Sequence, residues 1–347
     1  MNSRFLVEHF EACRGRSEPL VLVTVWETLG STYSKAGTRM LITSGGESRG
    51  LVSGGCLESD LAERARDVLE TRQARTVTYD LRDEADELFG LGIGCNGLIS
   101  VLLQPVFPET SYEPLASIAR ALVGLQPGAV ATVIEASDDA VAPGAALVLA
   151  DDDVCAFGVP SALAATLEAG CREVLNEGVP RLVSEPAGLR VLLAPIKPVP
   201  QVLILGAGLD AVPLVNIVAE LGWRVSIADH RPAYLKRGAF SRAEQAFDVR
   251  PETLAADVAL TRFDAIVVMS HHLATDREYL RQLADVDITF IGLLGPPARK
   301  ERLLGELGDA GRKLGPRLHA PVGIDIGADT AESIAVSIAA EIQQVLA

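Results

Sequence analysis

Residues 201–229 read QVLILGAGLDAVPLVNIVAELGWRVSIAD and decide the fold of the second half of the chain. An apolar run is followed by a glycine turn, a helical pattern and a second apolar run. In this context Gly206 permits a tight turn, Gly208 lets a pyrophosphate approach the backbone, and Ala211 is small enough for helix and strand to pack. Asp229 ends the second run, where an acid contacts a ribose hydroxyl. The stretch predicts a dinucleotide-type strand, turn, helix and strand.

The remainder of the second half continues the same alternation. The apolar runs DAIVV (264–268) and ITFI (288–291) each precede a loop rich in small or polar residues, as in a parallel sheet covered by helices. The stretch APIKPVP (194–200) disfavours helix and leads into a new strand. We therefore predict an α/β protein, with an N-terminal mixed α/β domain over residues 1–195 and a Rossmann-like, doubly wound parallel sheet domain over residues 196–347.

The first half alternates short strand-like runs with glycine turns. After Gly54 and Gly55, apolar residues at helical spacing predict an amphipathic helix that begins near Cys56. A segment from about 108 to 195 contains further helix and strand patterns but little visible chemistry, and we find no internal repeat in the sequence. Strands are predicted at 20–26, 39–43, 50–53, 76–81 and 98–106.

Composition excludes several classes of protein. Apolar residues make up 48% and charged residues 22%, which is typical of a globular chain, and the formal charge of −15 repels nucleic acids and anionic membranes. No apolar run approaches the roughly 18 residues of a membrane-spanning helix. The five cysteines show no disulfide or zinc-finger spacing. We expect a cytoplasmic protein with neither nucleic-acid nor membrane partners, in which local donors hold any anionic ligand.

Two glycine-rich turns each carry a thiol. Gly54 and Gly55 precede Cys56 at a strand-to-helix junction, where a helix N-terminus stabilises a thiolate or an anion. Taken alone, Cys56 is more simply explained as a small buried residue. The second turn, GLGIGCNG (90–97), places a thiol where little apolar bulk can be buried. Together the two turns predict a site formed by Gly54, Gly55, Cys56, Gly94, Cys95 and Asn96. Two isolated cysteines are too few for a zinc site.

Cations lie close to these turns in sequence. Lys35 and Arg39, in GSTYSKAGTRMLI, are candidates to hold an anion beside the cysteine turns, although a solvated hairpin with ordinary surface charges explains them too. Glu58 either adds a carboxylate near Cys56 or favours the helix dipole.

His271 and His272 follow the strand-like run DAIVV. They either contact a ligand at the carboxyl end of the sheet or cap the following helix. The glycine turn and Asp229 leave open an NAD(P)-dependent oxidoreductase or a nucleotide-responsive regulator. The oxidoreductase alternative lacks an evident catalytic base.

Seven segments, in order along nearly the whole chain, resemble the xanthine dehydrogenase accessory factor family, also called XdhC/CoxI. They are GSTYSKAGTRMLI (30–42), VSGGCLES (52–59), GLGIGCNG (90–97), GAGLDA (206–211), MSHHLATDREYL (269–280), IGLLGPPARKERL (291–303) and HAPVGIDIGADTAESIAVSIAAEI (319–342). The two glycine-flanked cysteines of that family match Cys56 and Cys95.

The resemblance implies a chaperone rather than an enzyme. Such a protein binds the molybdenum cofactor, as molybdopterin or its cytidine dinucleotide form, protects it, supports its sulfuration by a cysteine desulfurase, and inserts it into a xanthine or aldehyde dehydrogenase-type molybdenum hydroxylase. A homodimer is also implied. Cys56 and Cys95 are then expected near the molybdenum of the bound cofactor, because thiolates are ligands for soft metals.

Overall fold

The computed structural model describes residues 3–80, 97–137, 140–151, 153–184, 188–236 and 239–347. The chain divides into two compact units, Met1–Pro198 and Val199–Ala347. The division falls in the proline-rich stretch APIKPVP, three residues beyond the predicted boundary. Over the described residues, no helix is both long enough and apolar enough to cross a lipid bilayer.

The described part of the first unit contains two antiparallel sheets of five strands each. The first has the order β3-β2-β1-β5-β4 and the second the order β8-β7-β6-β10-β9. The strands are β1 Leu20–Gly30, β2 Arg39–Thr43, β3 Ser48–Arg49, β4 Arg75–Asp80, β5 Gly97–Val106, β6 Gly128–Glu135, β7 Ala146–Ala150, β8 Asp153–Phe157, β9 Arg181–Ser184 and β10 Arg190–Ile196. The helices are α1 Ser3–Gly15, α2 Glu58–Thr71, α3 Leu115–Val123 and α4 Ser161–Glu177.

Side-chain alternation along the strands builds the layers of this unit. Leu20 and Leu22 of β1 pack with Val130 of β6 and Leu192 of β10 in a core between the sheets, together with α1 and α3. The intervening residues of β1 pack against α2, and those of β6 and β10 pack against α4. Because successive side chains of a strand point to opposite faces, the central strands of each sheet are buried on both faces.

The two halves of this unit have the same topology. Among the residues that the structure describes, each runs helix, three strands, helix, two strands, and the strand order within both sheets follows the same pattern. The sequence shows no repeat because burial constrains only which positions are apolar, and many residues satisfy that constraint. The chemistry differs between the halves, since the turn that carries Cys56 corresponds to Gly158–Pro160 in the second half.

The second unit is a parallel sheet with the order β13-β12-β11-β14-β15-β16 among its described residues. Its strands are β11 Gln201–Leu205, β12 Arg224–Asp229, β13 Gln245–Asp248, β14 Ala265–Val268, β15 Phe290–Leu293 and β16 Leu318–His319. Its helices are α5 Ala211–Glu220, α6 Pro232–Leu235, α7 Leu254–Asp257, α8 Leu273–Leu283, α9 Pro297–Leu307, α10 Asp309–Leu314 and α11 Ala331–Leu346.

Helices cover both faces of the parallel sheet. Helices α5 and α11 pack on one face, and α7 to α10 pack on the other. The strand order reverses between β11 and β14, which is the topological switch point where such sheets bind ligands. The predicted fold class is confirmed, with a mixed α/β unit followed by a Rossmann-type parallel sheet.

One predicted strand is wrong. Residues 50–53 lie outside any strand, and β3 ends at Arg49. Gly50 has φ +108° and Gly54 and Gly55 have φ +79° and +114°, a region of backbone conformation that glycine enters readily and that interrupts a strand. The segment is instead a loop that leads into α2.

Candidate functional site

Cys56 lies in the loop between β3 and α2, where its side chain is half-buried and its thiol is free of disulfide bonds. Gly54 and Gly55 are exposed, and their positive φ angles turn the chain sharply before the helix. The sequence correctly places Cys56 on a glycine turn just before a helix, whereas the simpler explanation of Cys56 as a fully buried residue is wrong. Cys171, by contrast, is fully buried, and burial raises the pKa of its thiol to about 12.

The carboxylate of Glu58 organises this loop from within. It accepts hydrogen bonds from the amides of Val52 and Ser53 at 3.0 Å each, from Gly55 at 3.0 Å and from Leu57 at 3.1 Å. The Ser53 hydroxyl donates to it at 2.6 Å. Burial opposes ionisation of Glu58, but the donors from Ser53 and the loop amides outweigh burial and lower its pKa.

This arrangement changes the expectation for the turn at 53–57. The sequence predicts a turn that offers its amides to an external anion, but Glu58 already occupies four of the amides around it. An external ligand therefore finds a preformed loop that presents the Cys56 side chain. The role of Glu58 goes beyond the dipole effect considered from sequence, because a carboxylate that accepts several N–H groups defines the loop conformation.

A cavity of about 900 Å³ lies beside this loop. Tyr33 lines the cavity, and its ring carbon Cδ2 lies 3.5 Å from the position that a Cβ atom on Gly54 would take. The Ser34 hydroxyl donates to the Leu51 carbonyl at 3.1 Å, which ties the β1–β2 loop to the segment before the cysteine. Residues 48–51 thus line the cavity and lead directly into the thiol loop.

Charged side chains, the acidic Glu8 as well as basic ones, line this cavity together with aromatic and apolar side chains. Lys35, Arg49 and His9 contribute nitrogen donors, and Tyr33 and Leu51 contribute exposed apolar surface. Burial lowers the pKa of His9, so its imidazole is mostly neutral at pH 7. The size falls within the range of sites for small molecules and cofactors. Sequence analysis missed His9, Arg49 and Tyr33, since only the fold brings α1, β3 and the β1–β2 loop together.

The two predicted cations do not lie in the same environment. Lys35 is exposed and lines the large cavity. Arg39 is 8% exposed and lines a second cavity of about 260 Å³. Of the two, the structure brings only Lys35 to the cavity beside the Cys56 loop.

Three predicted site residues, Gly94, Cys95 and Asn96, lie outside the described residues. The proximity of Cys95 to Cys56 therefore stays a prediction. Within the described ranges, no three histidine, cysteine, aspartate or glutamate side chains are grouped as a metal site would require.

In the second unit, the glycine turn lies at the switch point of the sheet. Gly206 has φ +124°, and a Cβ atom there would lie 2.6 Å from the Met269 carbonyl oxygen. Ala211 is fully buried at the start of α5. The turn after β11 therefore packs directly on the chain that leaves β14, and glycine is required at its first position.

Gly208 and the two histidines lie at the same edge of the sheet. His271 Nε2 lies 2.6 Å from Asp210 Oδ2, and a Cβ atom on Gly208 would lie 3.8 Å from His271 Cδ2. His272 is the N-cap of α8, where its side chain accepts a hydrogen bond from the amide of Thr275. The capping alternative is thus confirmed for His272, whereas His271 faces the glycine turn.

Asp229 does not present a free carboxylate. It is 1% exposed; its Oδ2 accepts from the Ala207 amide at 2.7 Å, and Arg231 donates to both of its oxygens at 2.8 Å. Burial opposes its ionisation, but the Arg231 side chain and the amides of Ala207 and Arg231 outweigh burial and lower its pKa. Asp229 therefore ties the glycine turn to β12, and a ribose hydroxyl would have to displace Arg231.

Sequence analysis also missed a buried ion pair that supports the loop between β14 and α8. Asp276 of α8 is fully buried, forms an ion pair with Arg299 of α9, and accepts from the amide and hydroxyl of Ser270. The pair fixes the loop that carries His271. The sequence offers no signal for it, because a helical acid and a helical arginine far apart in sequence resemble ordinary surface charges.

Comparison with known proteins gives matches over both units. Residues 13–80 match the model of the XdhC and CoxI family, and residues 202–342 match the XdhC Rossmann domain. A probable xanthine dehydrogenase subunit from Bacillus subtilis (strain 168) is 33% identical over 331 residues, which cover 94% of this chain and 93% of that protein.

Two further relatives extend the comparison. The molybdenum cofactor insertion chaperone PaoD of Escherichia coli (strain K12) is 22% identical over 344 residues, which cover 99% of this chain and 87% of PaoD. A crystal structure described as a xanthine dehydrogenase from Bacillus halodurans is 30% identical and superposes with a TM-score of 0.81, covering 100% of this chain and 96% of that one.

Proposed function

Because the chain belongs to the XdhC and CoxI family, we propose that it is an accessory protein that binds a molybdenum cofactor and inserts it into a xanthine dehydrogenase-type hydroxylase. The observation that carries the proposal is the cavity of about 900 Å³, lined by Lys35, Arg49 and Tyr33 together with Glu8, whose wall includes residues 48–51 that lead into the loop of the half-buried Cys56. The name of PaoD supports the insertion role, and the name of the B. subtilis relative, a probable xanthine dehydrogenase subunit, supports the type of client enzyme.

The residues of the cavity fit the chemistry of this cargo. Molybdopterin carries a terminal phosphate, a flat heteroaromatic ring and a dithiolene that binds molybdenum. Lys35 and Arg49 would attract the phosphate, and the exposed rings and apolar side chains, Tyr33 among them, would cover the heterocycle. The Cys56 thiol would face the molybdenum end or the sulfur added to it, since thiolates are ligands for soft metals.

The finer parts of the proposal follow from the family. We propose that Cys95 acts together with Cys56, that a cysteine desulfurase supplies sulfur to the bound cofactor, and that the protein shields the cofactor until transfer. We also propose a homodimer in the cytoplasm. The cargo is molybdopterin or its cytidine dinucleotide form, and the client is a xanthine or aldehyde dehydrogenase-type enzyme.

Cofactor binding by Cys56 variants tests the proposal. Free molybdenum cofactor is titrated anaerobically into the full-length protein, and its transfer is followed as the activity of an added apo-hydroxylase. We expect saturable binding and transfer by the native protein. Cys56→Ala should weaken binding about tenfold or more, equivalent to about 1.4 kcal/mol, because it removes one soft ligand.

Cys155→Ala is the matched control, since Cys155 is also a half-buried free thiol but lies on β8 of the other sheet. This control should bind and transfer like the native protein. Absence of cofactor binding by the native protein would contradict the proposed function. Native behaviour of Cys56→Ala would remove only the role of the thiol.

A second candidate function is nucleotide binding by the Rossmann-type unit, alone or with NAD(P)-dependent oxidation. The position of Gly206 at the switch point favours it, whereas the Arg231 pairing of Asp229 disfavours the ribose contact predicted from sequence. Fluorescence titration with NADH and NADPH tests this candidate. Nucleotide binding without cofactor binding would favour a nucleotide-responsive regulator, and turnover of NAD(P) would favour the oxidoreductase.

A further inference from the structure

Arg39 occupies an unusual position for a cation. It begins β2 and lies on the same face of the strand as Leu41, which belongs to the core between the two sheets. Arg39 is only 8% exposed, and its Nη2 atom is buried without a hydrogen-bond partner among the described residues. An arginine in such a core is rarely left without an anionic partner.

The charge of Arg39 persists despite this burial. Burial lowers its pKa to about 10, which still leaves the guanidinium protonated at pH 7, and no described carboxylate contributes to that pKa. An unpaired buried charge costs several kcal/mol, and an opposite charge with good hydrogen-bond geometry offsets that cost. The guanidinium is therefore a buried cation that an anionic ligand would stabilise.

Arg39 lines a cavity large enough to hold a small anion. The cavity has a volume of about 260 Å³, and the share of one water molecule in the liquid is about 30 Å³. Lys197 brings a second cationic side chain to the cavity wall, and Ser3 and Thr38 bring hydroxyl groups. Apolar residues of α1, α3 and β10 form much of the remaining wall: Leu6, Leu122, Ala194, Pro195 and Ile196.

We propose that this cavity is a binding site for a phosphate-type oxyanion, held by Arg39 with Lys197 and the hydroxyl groups of Ser3 and Thr38. A guanidinium presents N–H donors in a planar fork that matches the oxygens of phosphate. The low-dielectric walls strengthen the attraction between the oxyanion and the two cations. This cavity shares Leu6 and Thr38 with the larger cavity near the cysteine loop, but Arg39 and Lys197 line only the smaller one among the described residues that line the two cavities. The proposed oxyanion site does not depend on the proposed cofactor function.

Thermal unfolding of the full-length protein with inorganic phosphate tests this site. Ionic strength is held constant with sodium chloride, so that general screening does not change along the titration. A ligand that binds only the folded state raises the melting temperature as its concentration rises. We expect a phosphate-dependent rise for the native protein and its loss in Arg39→Met.

Arg66→Met is the matched control, because it removes an exposed arginine from α2 of the same unit. It should retain the native response to phosphate. If Arg39→Met does not fold, Arg39→Lys provides the comparison, since it keeps the charge but loses the fork, and its apparent affinity for phosphate should fall about tenfold or more.

A small phosphate monoester, glycerol phosphate, distinguishes the two sources of the oxyanion. A response to both ligands indicates a phosphate group carried by a larger molecule, and a response to inorganic phosphate alone indicates the free ion. The proposal is wrong if phosphate leaves the melting temperature of the native protein unchanged, or if Arg39→Met and Arg39→Lys both respond like the native protein.

Discussion

At the scale of single residues, the cysteine loop depends on one carboxylate. The Glu58 carboxylate accepts hydrogen bonds from four backbone amides and from the Ser53 hydroxyl. The loop conformation around Cys56 therefore exists before any ligand binds. Preformed sites reduce the entropy that binding must overcome. Glu58 thus acts on the candidate site through the backbone that carries the thiol.

We expect Glu58→Gln to lower the free energy of unfolding by about 1–3 kcal/mol, because an amide NH₂ cannot accept the hydrogen bonds that a carboxylate oxygen accepts. The folded pKa of Glu58 lies below its ordinary value of 4.5. Its stabilisation is therefore present above that value and is lost as the pH falls through the lower folded pKa. Urea unfolding at neutral and strongly acidic pH measures both effects.

Glu63→Gln on the exposed side of α2 is the control for this substitution. It should unfold like the native protein at both pH values. A stability difference between Glu58→Gln and the native protein that stays constant down to strongly acidic pH would contradict the assigned role of the carboxylate.

At the scale of elements, two contacts determine the edge of the parallel sheet. The glycine turn after β11 packs on the chain leaving β14, and the Asp276–Arg299 pair holds the loop between β14 and α8. His271 and Asp210 then meet across the switch point. Neighbouring parallel strands end at the same edge, which is why loops far apart in sequence come together.

Gly206→Ala should destabilise the protein by roughly 1–3 kcal/mol, since its positive φ disfavours a side chain and the new Cβ would meet the Met269 carbonyl at 2.6 Å. The matched control is Gly305→Ala in α9, where a Cβ atom meets nothing within 4 Å. There alanine should stabilise the protein by about 0.4–1 kcal/mol. Melting temperatures of the two variants should shift in opposite directions, and equal shifts would contradict the packing argument.

At the scale of the whole molecule, each unit has its own cores. The clusters of the first unit span its two sheets and the helices α1 to α4, and those of the second unit cover both faces of the parallel sheet. A unit with its own core can fold alone. The two sheets of the first unit are not expected to fold separately, because they share one core.

Fragments 1–198 and 199–347 should therefore each unfold cooperatively when expressed separately, as followed by circular dichroism during heating. A fragment of residues 1–107 keeps the first sheet but loses its partner across the core, so it should aggregate or lack a cooperative transition. A cooperative transition in fragment 1–107 would show that the intersheet core is dispensable.

The sequence by itself determined the fold class and most elements of secondary structure. Periodicity and glycine spacing report local backbone preference, so the strand, turn and helix after Gln201 and the glycine turn at Cys56 were predictable. The same local signals misplaced a strand at 50–53, because they do not register the positive φ angles of Gly50 at its start and of Gly54 and Gly55 just after it.

Only the tertiary structure decided what the polar residues contact. Glu58, Arg231 and Asp276 look like ordinary charges in sequence, yet burial and long-range pairing make them supports of the two candidate sites. It also placed Lys35 and Arg39 at different cavities and brought α1, β3 and the β1–β2 loop together around the larger one. Burial and partners depend on contacts between distant segments, and these contacts arise only when the sheets and helices pack.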